Sequence, residues 1–135
     1  MRLLMIEPLK HPKVIETDNL DLEFLQWAVG GSIEAVYPFA DPVAVICNEE
    51  GKLKGLALNR PLLDEDDRIY DILCGTILVT GVGEEDFCGL SDELLEEYKK
   101  HFWEPKVFIS DYWGKIFAFD YEEEPKKGDS DEKAQ

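Results

Sequence analysis

Residues 47–61 read CNEEGKLKGLALNRP, and four side chains in this stretch have types suited to recognising a ligand: Asn48, Lys52, Asn59 and Arg60. A guanidinium is a planar fork that grips a phosphate or carboxylate through two parallel hydrogen bonds, and flanking amides give direction. Lys52 adds a point charge if its hairpin turns it inward. Such a set suits a small anionic ligand of nucleotide type better than a long polymer, because the positive potential is local. A plainer reading uses the same residues. Arg60 would pair with the acids at 64–67, and the two asparagines would satisfy turn backbone. At the level of sequence both readings stand.

Other chemistries lack their residues. Nucleophilic hydrolysis needs a nucleophile, a base and a group that orients them. There is no GxSxG, and neither His11 nor His101 neighbours a candidate serine or cysteine elbow. The glycines of GVGEEDFCG (81–89) come without a Walker lysine or serine, and its three acids repel phosphate. With 30 carboxylates, close pairs arise by chance and none is singled out for acid–base work. Cys47, Cys74 and Cys88 are an odd count without CxxC spacing and read as free thiols, the first two in apolar runs. No zinc spacing exists. The expectation is a binding protein with no catalytic centre, no metal and no cofactor.

Charge is the dominant feature of composition: 30 acids against 14 bases give −16. The last fifteen residues hold six acids and three bases, so the first 120 carry 24 acids and 11 bases, or −13. The acidity therefore belongs to the folded body. Such a surface repels nucleic acid and membrane head groups and attracts basic proteins. The acids nominated as a docking surface are Asp64, Glu65, Asp66, Asp67, Glu84, Glu85, Asp86, Asp92, Glu93, Glu96 and Glu97. No apolar run reaches the roughly 18–20 residues that span a bilayer. The N-terminal MRLLMIEPLKHPKV is too short for an export signal and reads as a strand, which points to the cytosol.

The elements that must position these groups are short. Leu3–Ile6 and Lys13–Glu16 read as strands joined by a proline-bearing loop. TDNLDLEFLQWAVGG reads as a helix capped by Asp18 or Asn19 and stopped by Gly30, with Leu22, Leu25 and Val29 on its apolar stripe, widened by Trp27 or Ala28. SIEAVYPF (32–39), with Ile33 and Ala35 on one face and Ser32, Glu34 and Val36 on the other, and the wholly apolar Val43–Cys47 read as strands, the second buried on both faces. After the NEEG turn a hairpin returns through Leu53–Leu58, and RPLLDEDDRIYD is an acidic loop closing on the strand IYDIL. GTILVTGVG is a core strand, and EEDFCG is a loop. LSDELLEEYKKHFW is a helix capped by Ser91 and stopped by Pro105. KVFIS and KIFAF close the domain as strands around DYWG. Strands outnumber helices without βαβ regularity, so the fold class is α+β: one small domain over 1–120, a mostly antiparallel sheet with two helices packed on it. Residues 121–135 read as an acidic, disordered tail.

VGGSIEAVYPFADPVAVICNEEGKLKGLALNRPL followed by YDILCGTILVTGV resembles the family catalogued as domain of unknown function 3846. The matching features are Gly30-Gly31 with Ile33-Glu34, the turn Asn48-Glu49-Glu50-Gly51-Lys52, Asn59-Arg60 and the strand entry at Gly75. The resemblance spans roughly residues 3–110, with an individual extension from Asp111. It implies a phage, plasmid or other mobile-element setting in bacteria and carries no activity of its own. Within that setting the expected role is antagonism of host defence. One route is an acidic, nucleic-acid-like surface that occupies a basic host protein. The other is sequestration of a small nucleotide-derived signal near Arg60.

Overall fold

In the computed structural model, which describes residues 1–122, the alternation of apolar side chains along three strands decides the layering. These strands are β1 (Arg2–Ile6), β4 (Val43–Asn48) and β7 (Ile77–Val82). On one face lie Leu4, Ile6, Val43, Val45, Cys47, Ile77 and Val79; on the other lie Leu3, Ala44, Ile46 and Leu78. Both sets are almost fully buried, so the sheet needs a cover on each side. Helix α1 (Leu22–Val29) covers the second face with Leu25 and Val29. Helix α2 (Asp92–His101) covers the first with Leu95 and Tyr98. The helices thus sit on opposite faces of an antiparallel sheet, and the α+β class holds.

The strand order is β2-β1-β7-β4-β3, with β2 spanning Lys13–Glu16 and β3 spanning Ile33–Val36; the two-residue strand β8 (Phe87–Cys88) also pairs with β7. Every pairing is antiparallel. Two hairpins stand apart from this sheet: β5 (Leu58–Leu63) with β6 (Ile69–Cys74), and β9 (Lys106–Ser110) with β10 (Ile116–Asp120). Leu62 and Leu73 of the first hairpin join the α2-side core.

Four local expectations are corrected. The cap of α1 is Asp21, whose carboxylate accepts the N–H of Phe24 at 2.9 Å; Asp18 and Asn19 lie ahead of it, and Asn19 donates to the Asp21 carboxylate. Leu22, read as part of the apolar stripe, is 56% exposed at the first turn, and of the two residues offered to widen the stripe Ala28 packs on the core while Trp27 is 71% exposed. The chain does not return along β4 after the NEEG turn, because β3 and β7 already occupy both of its edges. Residues 49–55 coil through successive turns instead, and the stretch read as an acidic loop begins as strand β5, leaving only Asp64–Asp67 and Arg68 as its turn. Phe87 and Cys88, read as loop, add the short strand at the edge of β7.

Gly30 in the left-handed region at the end of α1 (φ 79°) and Ser91 as the cap of α2 agree with the structure. The disordered-tail expectation falls, beyond Tyr121 and Glu122, outside the described residues.

Candidate functional site

Asn59 and Arg60 are adjacent in a strand, so regular pleating would send them to opposite faces. Both are buried, because the pairing of β5 with β6 shifts register between Leu58 and Arg60. A bulge of this kind bends the strand and re-aims its side chains. Asn59 Nδ2 donates to the carbonyls of Ile6 (2.9 Å) and Gly75 (2.7 Å), and its Oδ1 accepts from Arg60 at 3.0 Å. Arg60 also donates from Nε to the Phe102 carbonyl at 3.1 Å and to the Lys10 carbonyl at 2.7 Å. The dipeptide therefore ties together the end of β1, the loop after it, the start of β7 and the last turn of α2.

Arg60 does not pair with the acids at 64–67. Its guanidinium is 2% exposed and, among the described residues, has no carboxylate within ion-pair distance. Burial lowers its pKa to about 10, and the nearby Glu104 opposes that fall, so it stays charged at neutral pH. The Phe102 carbonyl it accepts as partner lies at the electronegative end of α2, which offsets part of the desolvation.

Asn48 serves the opposite side of the sheet. Its Nδ2 donates to the Val29 carbonyl at the end of α1 (3.1 Å), and its Oδ1 accepts the N–H of Glu50 at 2.8 Å. A Cβ on Gly31 would stand 2.9 Å from this amide, which is why glycine follows glycine there. Lys52 is exposed and pairs with Asp71. The four residues nominated from sequence thus occupy three places. Asn59 and Arg60 meet, Asn48 joins α1 to its turn, and Lys52 faces outward.

All of the nominated acids are exposed. Asp64–Asp67 form the β5–β6 turn, Glu84–Asp86 the β7–β8 turn, and Asp92, Glu93, Glu96 and Glu97 the outer face of α2. Among the described residues, Asp92 alone of this set has a cationic partner, Arg2. Glu97 is raised in pKa by its hydrogen bond toward Asp41, the same carboxylate that accepts from Tyr98 at 2.6 Å. The cysteines are free. Burial, helped by Glu34, pushes the Cys47 thiol up to about 11, and burial likewise raises Cys74, so both are protonated at neutral pH. No grouping of three metal-ligating side chains occurs among the described residues, and no helix there is long and apolar enough to cross a membrane.

One concave feature was not legible in the sequence. Between the β5–β6 and β9–β10 hairpins lies a cleft of about 980 Å³, with an adjoining chamber of about 360 Å³. The large part is walled by Leu58, Leu63, Ile69, Ile116, Phe117 and Phe119 and carries Lys52, Arg68, Lys106 and Lys115. Arg60 borders the smaller part. Arg68, Lys106 and Lys115 read as ordinary strand-end and turn residues. Only the approach of two hairpins distant in sequence gathers them.

The molecule is thus of a definite class: a small α+β domain with one helix on each face of an antiparallel sheet, an acidic exterior and a large cation-bearing cleft. The chain belongs to the family described as a domain of unknown function (DUF3846), whose model matches residues 1–103. The match stops short of the 110 expected from the quoted motifs, so the whole β9–β10 hairpin lies beyond it. No curated protein and no solved structure shows a significant match to the chain.

Proposed function

We propose that this is a non-enzymatic binding protein of a phage or other mobile element that acts in the bacterial cytosol by docking its acidic exterior onto a basic host protein, in antagonism of host defence. The observation that carries the reading is the exposure of the acids at 64–67, 84–86 and along α2, nearly all without a cationic partner among the described residues. Carboxylates left unneutralised on turn tips and a helix face project a negative potential, and that potential speeds encounter with a basic surface by about 10–10³ at low salt. Sequestration of a nucleotide-derived signal at Arg60 has less support, since that side chain is engaged with three protein oxygens.

The test is a pull-down from host lysate at two ionic strengths, followed by titration of the captured partner. A basic host protein is expected to be retained at about 0.1 M salt and lost by about 0.5 M, as the Debye length contracts. Changing Glu84→Gln, Glu85→Gln, Glu93→Gln and Glu96→Gln together is expected to slow association about tenfold or more. Retention that is indifferent to both salt and these substitutions overturns the reading.

A further inference from the structure

We propose that the cleft between the β5–β6 and β9–β10 hairpins is a binding site for a small aromatic anion, a flat ring body bearing one or two phosphate- or carboxylate-type groups. The first argument is charge. Over residues 1–120 there are 11 bases and 24 acids, yet the large part of the cleft is lined by four of those bases (Lys52, Arg68, Lys106, Lys115) and by two acids, Asp67 and Asp71. The local balance is therefore positive inside a body of −13. Lys52 and Lys106 are neutralised by Asp71 and Asp120, whereas Arg68 and Lys115 have no carboxylate partner among the described residues. These last two belong one to each hairpin, at or next to its turn, and both line the cleft.

The second argument is the apolar lining. Phe117 and Phe119 are 40% and 51% exposed, and Tyr70 is 58% exposed. Three rings left partly wet around one cleft lose apolar–water contact when another ring covers them. The Lys115 ammonium already lies 5.2 Å from the centre of the Phe117 ring, so charge and aromatic surface are presented together. The volume, about 980 Å³, lies at the upper end of the range for small-molecule sites. The adjoining chamber shares Pro61, Leu63, Asp67, Tyr70 and Lys106 with it and is bordered by Arg60. One wall, residues 106–119, lies beyond the family match, which makes the complete site a property of this chain.

The experiment titrates the full chain with the fluorescent aromatic sulfonate 1-anilinonaphthalene-8-sulfonate and, separately, with N-phenyl-1-naphthylamine, which has the same rings without the charge. The expected result is one saturable site for the sulfonate and weaker binding of the neutral analogue. Arg68→Gln combined with Lys115→Gln is expected to weaken sulfonate binding about tenfold without altering the neutral analogue; both residues are exposed, so the fold should persist. Trp113→Ser, at the exposed hairpin tip, is expected to leave binding unchanged. Displacement by adenosine monophosphate assigns phosphate as the anionic group, and displacement by benzoate assigns carboxylate. Displacement by neither, equal binding of charged and neutral probes, sulfonate binding unaffected by the double substitution, or a response to a pentaglutamate peptide alone would each overturn the proposal. None of these outcomes depends on the acidic docking surface, whose test uses other residues.

Discussion

Asn59 and Arg60 make five hydrogen bonds between them from a fully buried position, one of those bonds linking the two side chains to each other. Removing one partner of a buried polar network leaves the others unsatisfied, and that loss exceeds the net worth of any single bond. Asn59→Ala strands the carbonyls of Ile6 and Gly75, and Arg60→Met strands those of Phe102 and Lys10. Each is expected to lower unfolding free energy by about 2–4 kcal/mol, read as a shift in the urea midpoint at unchanged slope. Arg60→Lys is expected to fall well short of the native value, since one ammonium cannot span acceptors on two different segments and the Asn59 amide. Lys52→Ala, by contrast, removes an exposed ion pair and should change stability by less than about 1 kcal/mol. Full stability in Arg60→Met would show that the dipeptide is not the tie described above. Types and adjacency made these residues conspicuous in the sequence. Their burial was not legible, because it depends on a bulge that strand periodicity does not announce.

At the scale of elements, the two helices are short and hold their places through caps and a narrow apolar stripe. The side chain of Asp21 satisfies one of the orphan N–H groups at the start of α1, and Ser91 does the same for α2. Asp21→Ala is expected to cost about 1 kcal/mol in thermal or urea unfolding. Asp18→Ala, at the position the sequence also offered as a cap, should cost little. Equal effects would show that the helix starts earlier than described. Helix existence and the Gly30 stop were readable because periodicity and chain-terminating chemistry are local. The choice among Asp18, Asn19 and Asp21 was not, since three capping residues lie within four positions and packing of Leu20 and Leu25 decides where the first turn begins. The hairpin β9–β10 shows the converse case. Its two strands were evident from KVFIS and KIFAF, while its role as a cleft wall follows only from its approach to β5–β6.

The whole molecule carries −16, and the four ion pairs among its described residues neutralise a small part of that charge. Like charges spread over one domain raise the free energy of the compact state, and added salt screens them. The melting temperature is therefore expected to rise by a few degrees between about 0.01 and 0.3 M sodium chloride, measured by calorimetry at neutral pH. A flat or falling curve would show that attractive pairs such as Arg2–Asp92 outweigh the repulsion. The same field has two consequences for binding. It draws basic surfaces toward the exterior, and it makes the positive interior of the cleft a local exception.

What the sequence determined by itself was what depends on neighbours along the chain: both helices and most of the strands, the cap at Ser91 and the stop at Gly30, the buried strand 43–47, and a net charge that no fold can alter. What only the tertiary structure decided was which side chains meet. Asn48 and Asn59, both singled out from one fifteen-residue stretch, ended in separate networks serving α1 and α2. Lys52, Arg68, Lys106 and Lys115, scattered over sixty residues, ended in one cleft. The physical reason is that burial and convergence arise when non-local segments exclude water between them, and the pairing of strands across the chain, unlike local periodicity, leaves no signature in the order of the residues.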